Sequence, residues 1–258
     1  MISSNGVTRL TLDGACIEAA WWGRASLLTP VVLLHEGLGS VSRWRDFPSA
    51  LADATGRRVM AYSRFGHGES DLPPAPHTVQ FMHDEARLLP AVLNAAGIRR
   101  AHLLGHSDGG SIALIAAAQH PALVDTLILE APHVFVEDIS VASIERTTAA
   151  FLETDLRARL ARHHRHVDVA FSGWSDVWLD PAFRRWNLEG FLPAITCPVL
   201  LMQGEEDEYG TLSQIDAIAH QVRGPVARLV LPDCGHAPHR DQRDRVISTM
   251  TAFLRSRV

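Results

Sequence analysis

Short apolar runs alternate with segments of helical spacing along this chain, and that alternation limits the fold more than any other feature. The runs are "VVLLHEG" (31–37), "RVMAYSR" (58–64), "AHLLGHS" (101–107), "VDTLILEAP" (124–132), "PVLLMQG" (198–204) and "ARLVLPD" (227–233). Each is too short for a core helix, and most are apolar at consecutive positions, as strands covered on both faces are. Helical spacing follows over 42–56, 77–97, 108–121, 212–222 and 240–255, with Pro90 expected to kink or interrupt the second of these. A hairpin is expected about Asp13-Gly14 in "TRLTLDGACIEAAWWG". Together these elements predict an α/β protein with a mostly parallel sheet and helices on both faces.

The rhythm breaks once. Between residues 133 and 194 no strand is expected, but "SIERTTAAFLETDLRARLARHH" has helical spacing and "FSGWSDVWLDPAFRRWN" is rich in tryptophan. The expected division is a core of residues 1–132 and 195–258 with a helical cap over 133–194. A chain of 258 residues is long enough for one such core without disulfide or metal staples.

The net charge of −5 argues against a nucleic-acid surface. No apolar run approaches the ~18 residues that cross a bilayer. The start, "MISSNGVTRLTLDG", lacks the basic and apolar regions of a secretory signal. Cys16, Cys197 and Cys234 are odd in number and far apart, so reduced thiols and a cytoplasmic location are expected. His163, His164 and His166 lack carboxylates at ligand spacing and read as a basic helix end, so no metal or cofactor is expected.

The chemistry centres on "LLGHSDGGSIAL" (103–114). Ser107 lies between Gly105 and Gly109 where a strand passes into a helix, the context in which G-x-S-x-G forms a sharp elbow exposing a serine. A serine needs a base, and the base an orienting acid. Asp207 lies three residues past Gly204 after the fifth parallel strand, and His236 follows the sixth. Strand ends of a parallel sheet converge, which brings these residues together. Glu130, at the fourth strand end, is a second candidate acid; His239 is the local alternative to His236. The backbone N–H groups of Asp108 and Leu38 are the expected oxyanion donors. Trp174, Trp178 and Trp186 are candidates to line the substrate site or to form cap core, whereas Trp44 and Met82 read as packing.

The segments "HEGLGS" (35–40), "SRFGHGESD" (63–71), "GHSDGG" (105–110), "GEEDEYG" (204–210) and "CGHAP" (234–238) resemble those of the α/β-hydrolase family. The resemblance implies an eight-stranded sheet with a cap between strands six and seven. It also implies Ser107 as nucleophile, Asp207 as acid, His236 as base and Leu38 as an oxyanion donor. Two residues depart from the common pattern. Glu36 precedes Gly37 where glycine is frequent, and it must either be hydrogen-bonded away from the site or be protonated. Asp108 stands where Met or Leu is frequent, either bonded locally or placing charge on the pocket wall. Arg184 and Arg185 could offset such charge at the far end of a longer substrate.

The expected activity is cofactor-independent hydrolysis of a small or medium carboxylic ester or lactone. The alternatives are C–C bond hydrolysis of a ring-cleavage product and a silent ligand-binding protein of the same fold.

Overall fold

The structure, a computed structural model, describes residues 6–255; residues 1–5, at the start of the segment read for a leader, lie outside it. Eight strands form one sheet: β1 (Gly6–Leu12), β2 (Ala15–Trp22), β3 (Val31–Leu34), β4 (Val59–Tyr62), β5 (Ala101–His106), β6 (Val124–Glu130), β7 (Val199–Gly204) and β8 (Val226–Leu231). Their spatial order is β1-β2-β4-β3-β5-β6-β7-β8. Strands β1 and β2 are antiparallel to their neighbours, and all later pairs are parallel. The first hairpin turns through Asp13 and Gly14, both at positive φ (48° and 87°). That pair of left-handed residues is what a two-residue turn needs to match strand twist.

The helices are α1 (Phe47–Thr55), α2 (Phe81–Ala95), α3 (Asp108–Gln119), α4 (Asp138–Glu153), α5 (Leu156–Leu160), α6 (Val167–Leu179), α7 (Ser213–Gln221), α8 (Pro238–Asp241) and α9 (Arg243–Arg255). Strand alternation sorts the core into two layers. Val32 and Leu34, Leu127 and Leu129, and Val199 and Leu201 pack with α2, α3 and α7 on one face. Val31 and Leu33, Ile128, Leu200 and Met202 pack with α1 and α9 on the other. No helix among the described residues is long and apolar enough to cross a membrane.

Three expectations are corrected in detail. The helix expected from residue 77 starts at Phe81 and runs through Pro90 unbroken. Proline removes one backbone bond, but Phe81, Met82, Ala86, Leu89, Val92 and Leu93 bury one face of the helix and hold it together. The stretch 143–164 is not one helix, because Thr154 is extended (φ −124°, ψ −172°) and separates α4 from α5. The last helical stretch divides into α8 and α9 at Gln242.

Helices α4, α5 and α6 all lie in the connection between β6 and β7. That connection is the one interruption of the strand–helix alternation, and it falls where the sequence loses its strand pattern.

The strand beneath the Asp207 loop supplies a stability test. Leu201 is fully buried in β7, so Leu201→Ala should cost about 2–5 kcal/mol. Exposed Leu152 in α4 should tolerate alanine within about 0.5 kcal/mol. Urea unfolding of the two variants checks this; equal midpoints would contradict the layer assignment.

Candidate active site

Ser107 joins β5 to α3 with φ 54° and ψ −121°, a left-handed conformation that a non-glycine residue adopts only under constraint. The constraint is close packing on both sides. A Cβ on Gly105 would stand 2.3 Å from the Gly109 carbonyl oxygen, and one on Gly109 would stand 2.1 Å from that of Leu34. The glycines therefore let α3 press against β3 and β5 and lift the serine to the strand ends. The Ser107 N–H donates to the Glu130 carbonyl (2.9 Å), and its own carbonyl accepts from Gly110 (2.8 Å).

His236 and Asp207 meet this serine. Ser107 Oγ is 2.9 Å from His236 Nε2, and His236 Nδ1 is 2.8 Å from Asp207 Oδ1. The acceptor carboxylate assigns the imidazole proton to Nδ1, leaving the Nε2 lone pair for the serine hydroxyl. Asp207 is enclosed: its Oδ1 also accepts N–H groups of Tyr209 (2.8 Å) and Gly210 (3.3 Å), and Oδ2 accepts Gln203 Nε2–H (3.1 Å). Burial opposes charge on Asp207, but His236 and these donors outweigh it and lower the carboxyl pKa. Burial likewise opposes charge on His236, and the Asp207 carboxylate overrides it, raising the imidazole above its ordinary value.

Glu130 does not share this role. It has the strand parity of Ile128, so its side chain goes to the α1/α9 face. There its Oε2 lies 2.6 Å from His239 Nδ1, with both side chains buried. The two candidate acids and two candidate bases thus form separate pairs, and only one touches the serine. Glu205, Glu206 and Glu208 are all exposed, and Glu208 Oε2 accepts the His236 N–H (3.2 Å).

The turn after β3 has its carbonyls tied back into the protein. Arg64 donates to the carbonyls of His35 (2.6 Å) and Glu36 (3.1 Å), and His67 Nε2 faces that of Gly37 (2.9 Å). His164 donates to Leu38 O (2.9 Å) and accepts the Gly68 N–H (3.0 Å). Burial drives the His164 pKa to about 4. The reading of 163–166 as a basic helix end therefore fails for His164, a neutral bridge between α5–α6 and this turn. Glu36 is ionised. Burial opposes its charge, yet the Arg43 guanidinium 3.3 Å away, with His106 and the Leu38 N–H, brings its pKa to about 2.

Leu38 and Asp108 line a cavity of about 360 Å³ beside Ser107, together with Trp174, Trp178, Ile144 and His133. Gly37 is required here because a Cβ would stand 2.2 Å from the Trp174 indole. Trp178 Nε1 donates to Asp108 Oδ1 (3.2 Å). Trp186 is not part of the wall: it stacks on Phe183 at 5.2 Å, behind Trp178, and is core. Arg184 and Arg185 are also absent from the lining, since Arg184 turns outward to Asp138 (2.6 Å). Arg43 and Arg240 occupy the cavity wall instead.

Sequence reasoning missed His106, His133, Tyr209 and Gln203. His106 Nε2 donates to the His236 carbonyl (2.7 Å), so the residue before the serine holds the loop that carries the histidine. The Tyr209 ring lies 4.7 Å from that of His236. The signal for His133 was its place just past a parallel strand end; Gln203, inside an apolar strand, gave a weaker one.

Comparison with known proteins agrees with this architecture. The sequence model of the α/β-hydrolase fold family matches residues 29–170, more than half of the chain. The chain belongs to the α/β-hydrolase family. A putative carbamate hydrolase of Caulobacter segnis is 36% identical over 48% of this chain and 45% of its own length. A proline iminopeptidase of Lactobacillus crispatus is 36% identical over 42% of this chain and 37% of its own length. The chain thus matches less than half the length of these two relatives. The crystal structure of a proline iminopeptidase from Mycobacterium smegmatis superposes with a TM-score of 0.80 at 21% identity, covering 98% of both chains.

If His236 takes the serine proton it must be neutral to do so, and its raised pKa then predicts that kcat/KM rises with pH through a midpoint above the ordinary imidazole value of about 6.5. Asp207→Asn should lower kcat by orders of magnitude, while Glu130→Gln, acting only through His239, should reduce it far less. The reverse ranking on one substrate would move the acid to β6.

Proposed function

We propose that this protein is a serine hydrolase that cleaves a small or medium carboxylic ester or lactone through an acyl-enzyme. The observation that carries the reading is the unbroken Ser107–His236–Asp207 hydrogen-bond series opening onto a cavity. His236 Nε2 takes the hydroxyl proton as Ser107 Oγ attacks the carbonyl carbon, and the carbonyl π electrons move onto oxygen. The N–H groups of Asp108 and Leu38 hold that oxyanion; the Leu38 N–H passes to it from the Glu36 carboxylate, which Arg43 continues to neutralise. When the carbonyl re-forms, the C–O bond to the alcohol breaks and His236 returns its proton to the leaving oxygen. Water then attacks the acyl-serine by the same route, releasing the acid and restoring Ser107.

In this reading residues 133–194 form a cap over a core of 1–132 and 195–258, and the partner is a small acyl substrate. Trp174 and Trp178 keep water from the site, which strengthens the charge interactions within it. Three free cysteines, one buried and two partly buried, suit a reducing cytoplasm.

A fluorophosphonate probe should label the wild-type protein at Ser107, and a panel of p-nitrophenyl esters should be turned over. Ser107→Ala should abolish labelling and lower kcat by ~10³-fold or more. The variant should keep its fold, which circular dichroism checks. Retention of more than about a tenth of wild-type activity would remove Ser107 from the mechanism. Turnover of a vinylogous diketone in place of every ester would move the reading to C–C hydrolysis.

A further inference from the structure

Several polar groups of the cavity wall are spent on one another. The Tyr209 hydroxyl is bonded to Thr147, the Ser140 hydroxyl donates to the Tyr209 carbonyl, and Trp178 Nε1–H donates to Asp108. His133 is different. It lies just past the end of β6 and lines the cavity, and among the described residues neither of its ring nitrogens has a hydrogen-bond partner. Nδ1 is fully enclosed, whereas Nε2 is open to the cavity.

The ring is fixed by what packs around it. Gly210, in the loop that carries Asp207, lies against one edge, where a Cβ would stand 3.3 Å from His133 Cε1 and 3.5 Å from Nδ1. Trp178 meets the ring edge-on at 5.0 Å, and the His236 ring lies 5.8 Å away. The His133 carbonyl accepts the Ser111 hydroxyl (2.6 Å), which anchors the backbone. Burial, with His236 close by, brings the imidazole pKa to about 3, so the ring is neutral and carries one proton. An enclosed N–H without an acceptor is rarer in proteins than an enclosed acceptor without a donor. That assigns the proton to Nε2, and His133 then presents an uncharged donor to the cavity. The Ser107–His236–Asp207 series makes no use of it.

We propose that His133 is a specificity-determining residue whose Nε2–H binds a hydroxyl oxygen on the acyl chain, so that the preferred substrates are esters of 2- or 3-hydroxy acids. The inference rests on the serine-hydrolase reading and deepens it by naming the acyl class. In that reading the oxyanion points to the N–H groups of Leu38 and Asp108, and the leaving oxygen to His236 Nε2. Ala237, Arg240 and Asp241, just past His236, line the leaving side, and the acyl chain extends toward His133, Trp178 and Ile144. A methyl group in place of the hydroxyl would cover the His133 donor and leave it unpaired, which is what a site built for an oxygen penalises. Asp108 and Glu208 in the lining, and Asp207 beside His133, disfavour a carboxylate as the acceptor.

The test uses two pairs of benzyl esters that exchange a hydroxyl for a methyl group on one carbon. These are 2-hydroxybutyrate against 2-methylbutyrate, and 3-hydroxybutyrate against 3-methylbutyrate. The expected wild-type ratio of kcat/KM, hydroxy over methyl, is about tenfold or more in at least one pair. His133→Phe, which keeps a ring but loses the donor, should lower that ratio by about tenfold, and His133→Gln, which restores an N–H, should recover part of it. Comparing proteins cancels the intrinsic reactivity of the esters, and a ring that only packs would not move the ratio. Ratios unchanged in His133→Phe for both pairs, or a wild-type preference for the methyl ester in both, would overturn the proposal. Should His133→Phe fail to fold, calorimetry on Ser107→Ala decides instead. Tighter binding of the hydroxy ester in either pair supports the proposal, and equal affinity in both overturns it. Fluorophosphonate labelling of wild-type protein separates the two levels. Labelled protein with no preference for the hydroxyl loses this inference alone, and unlabelled protein loses the serine-hydrolase reading and this inference with it.

Discussion

The rest of the site depends on how closely α3 approaches β3 and β5. A left-handed serine costs of order 1–3 kcal/mol, and nothing local to Ser107 offsets that. What holds it is the packing around it: α3 is almost entirely buried, from Asp108 through Ala117, and its first turn lies against the Leu34 carbonyl where Gly109 has no Cβ. The Ser107 N–H is bonded to β6 and its carbonyl to α3. The strained residue is therefore fixed by the central sheet and not by a loop. Its neighbour His106 carries the same rigidity outward by holding the His236 carbonyl. Ser107 and His236 thereby share one frame although they are 129 residues apart.

Buried carboxylates divide the labour around this frame. Asp207 receives hydrogen bonds from His236, Tyr209, Gly210 and Gln203, so its charge is fixed and directed at one imidazole. Glu130 and His239 form a second buried pair against Trp44 and Phe47. Their distance from Ser107 follows from strand parity, because neighbouring residues of β6 face opposite layers. His106 lies between the two systems, its ring 5.1 Å from His236 and 5.0 Å from His239. Burial and these neighbouring imidazoles hold it neutral, with a pKa near 4. A second positive charge there would compete with the imidazolium that the proposed mechanism forms.

Much of this was legible in the sequence, and the limits have physical causes. The strands announced themselves because burial on both faces demands consecutive apolar residues, and Ser107, Asp207 and His236 because parallel strands place their ends together. Distinguishing Asp207 from Glu130 required side-chain parity, which follows from the register of β6 and not from proximity to a strand end. Trp186 and Trp174 looked alike as aromatic residues in one segment; only tertiary packing shows that one stacks on Phe183 and the other closes on Gly37. His164 read as a basic residue because sequence carries no burial. Once buried it is neutral, and its two ring nitrogens serve as donor and acceptor at once.

The segment between β6 and β7 is joined to the site more tightly than a cover needs to be. Trp174 closes on Gly37, His164 holds the Leu38 carbonyl, and Trp178 holds Asp108. On the other side, Ser140 and Ser143 of α4 donate to the carbonyls of Tyr209 and Glu208, and Thr147 bonds the Tyr209 hydroxyl (2.8 Å). These contacts reach both proposed oxyanion donors and the loop that carries Asp207. Lifting the segment as a rigid unit would therefore release the groups that hold the Asp207 loop and the turn after β3 together. Access for a substrate is less disruptive along the wall lined by Arg43, Arg240 and Asp241, where none of those bonds has to break. The helical segment thus belongs to the geometry of the site itself, and variation within it should be felt in the rate of reaction as well as in the choice of substrate.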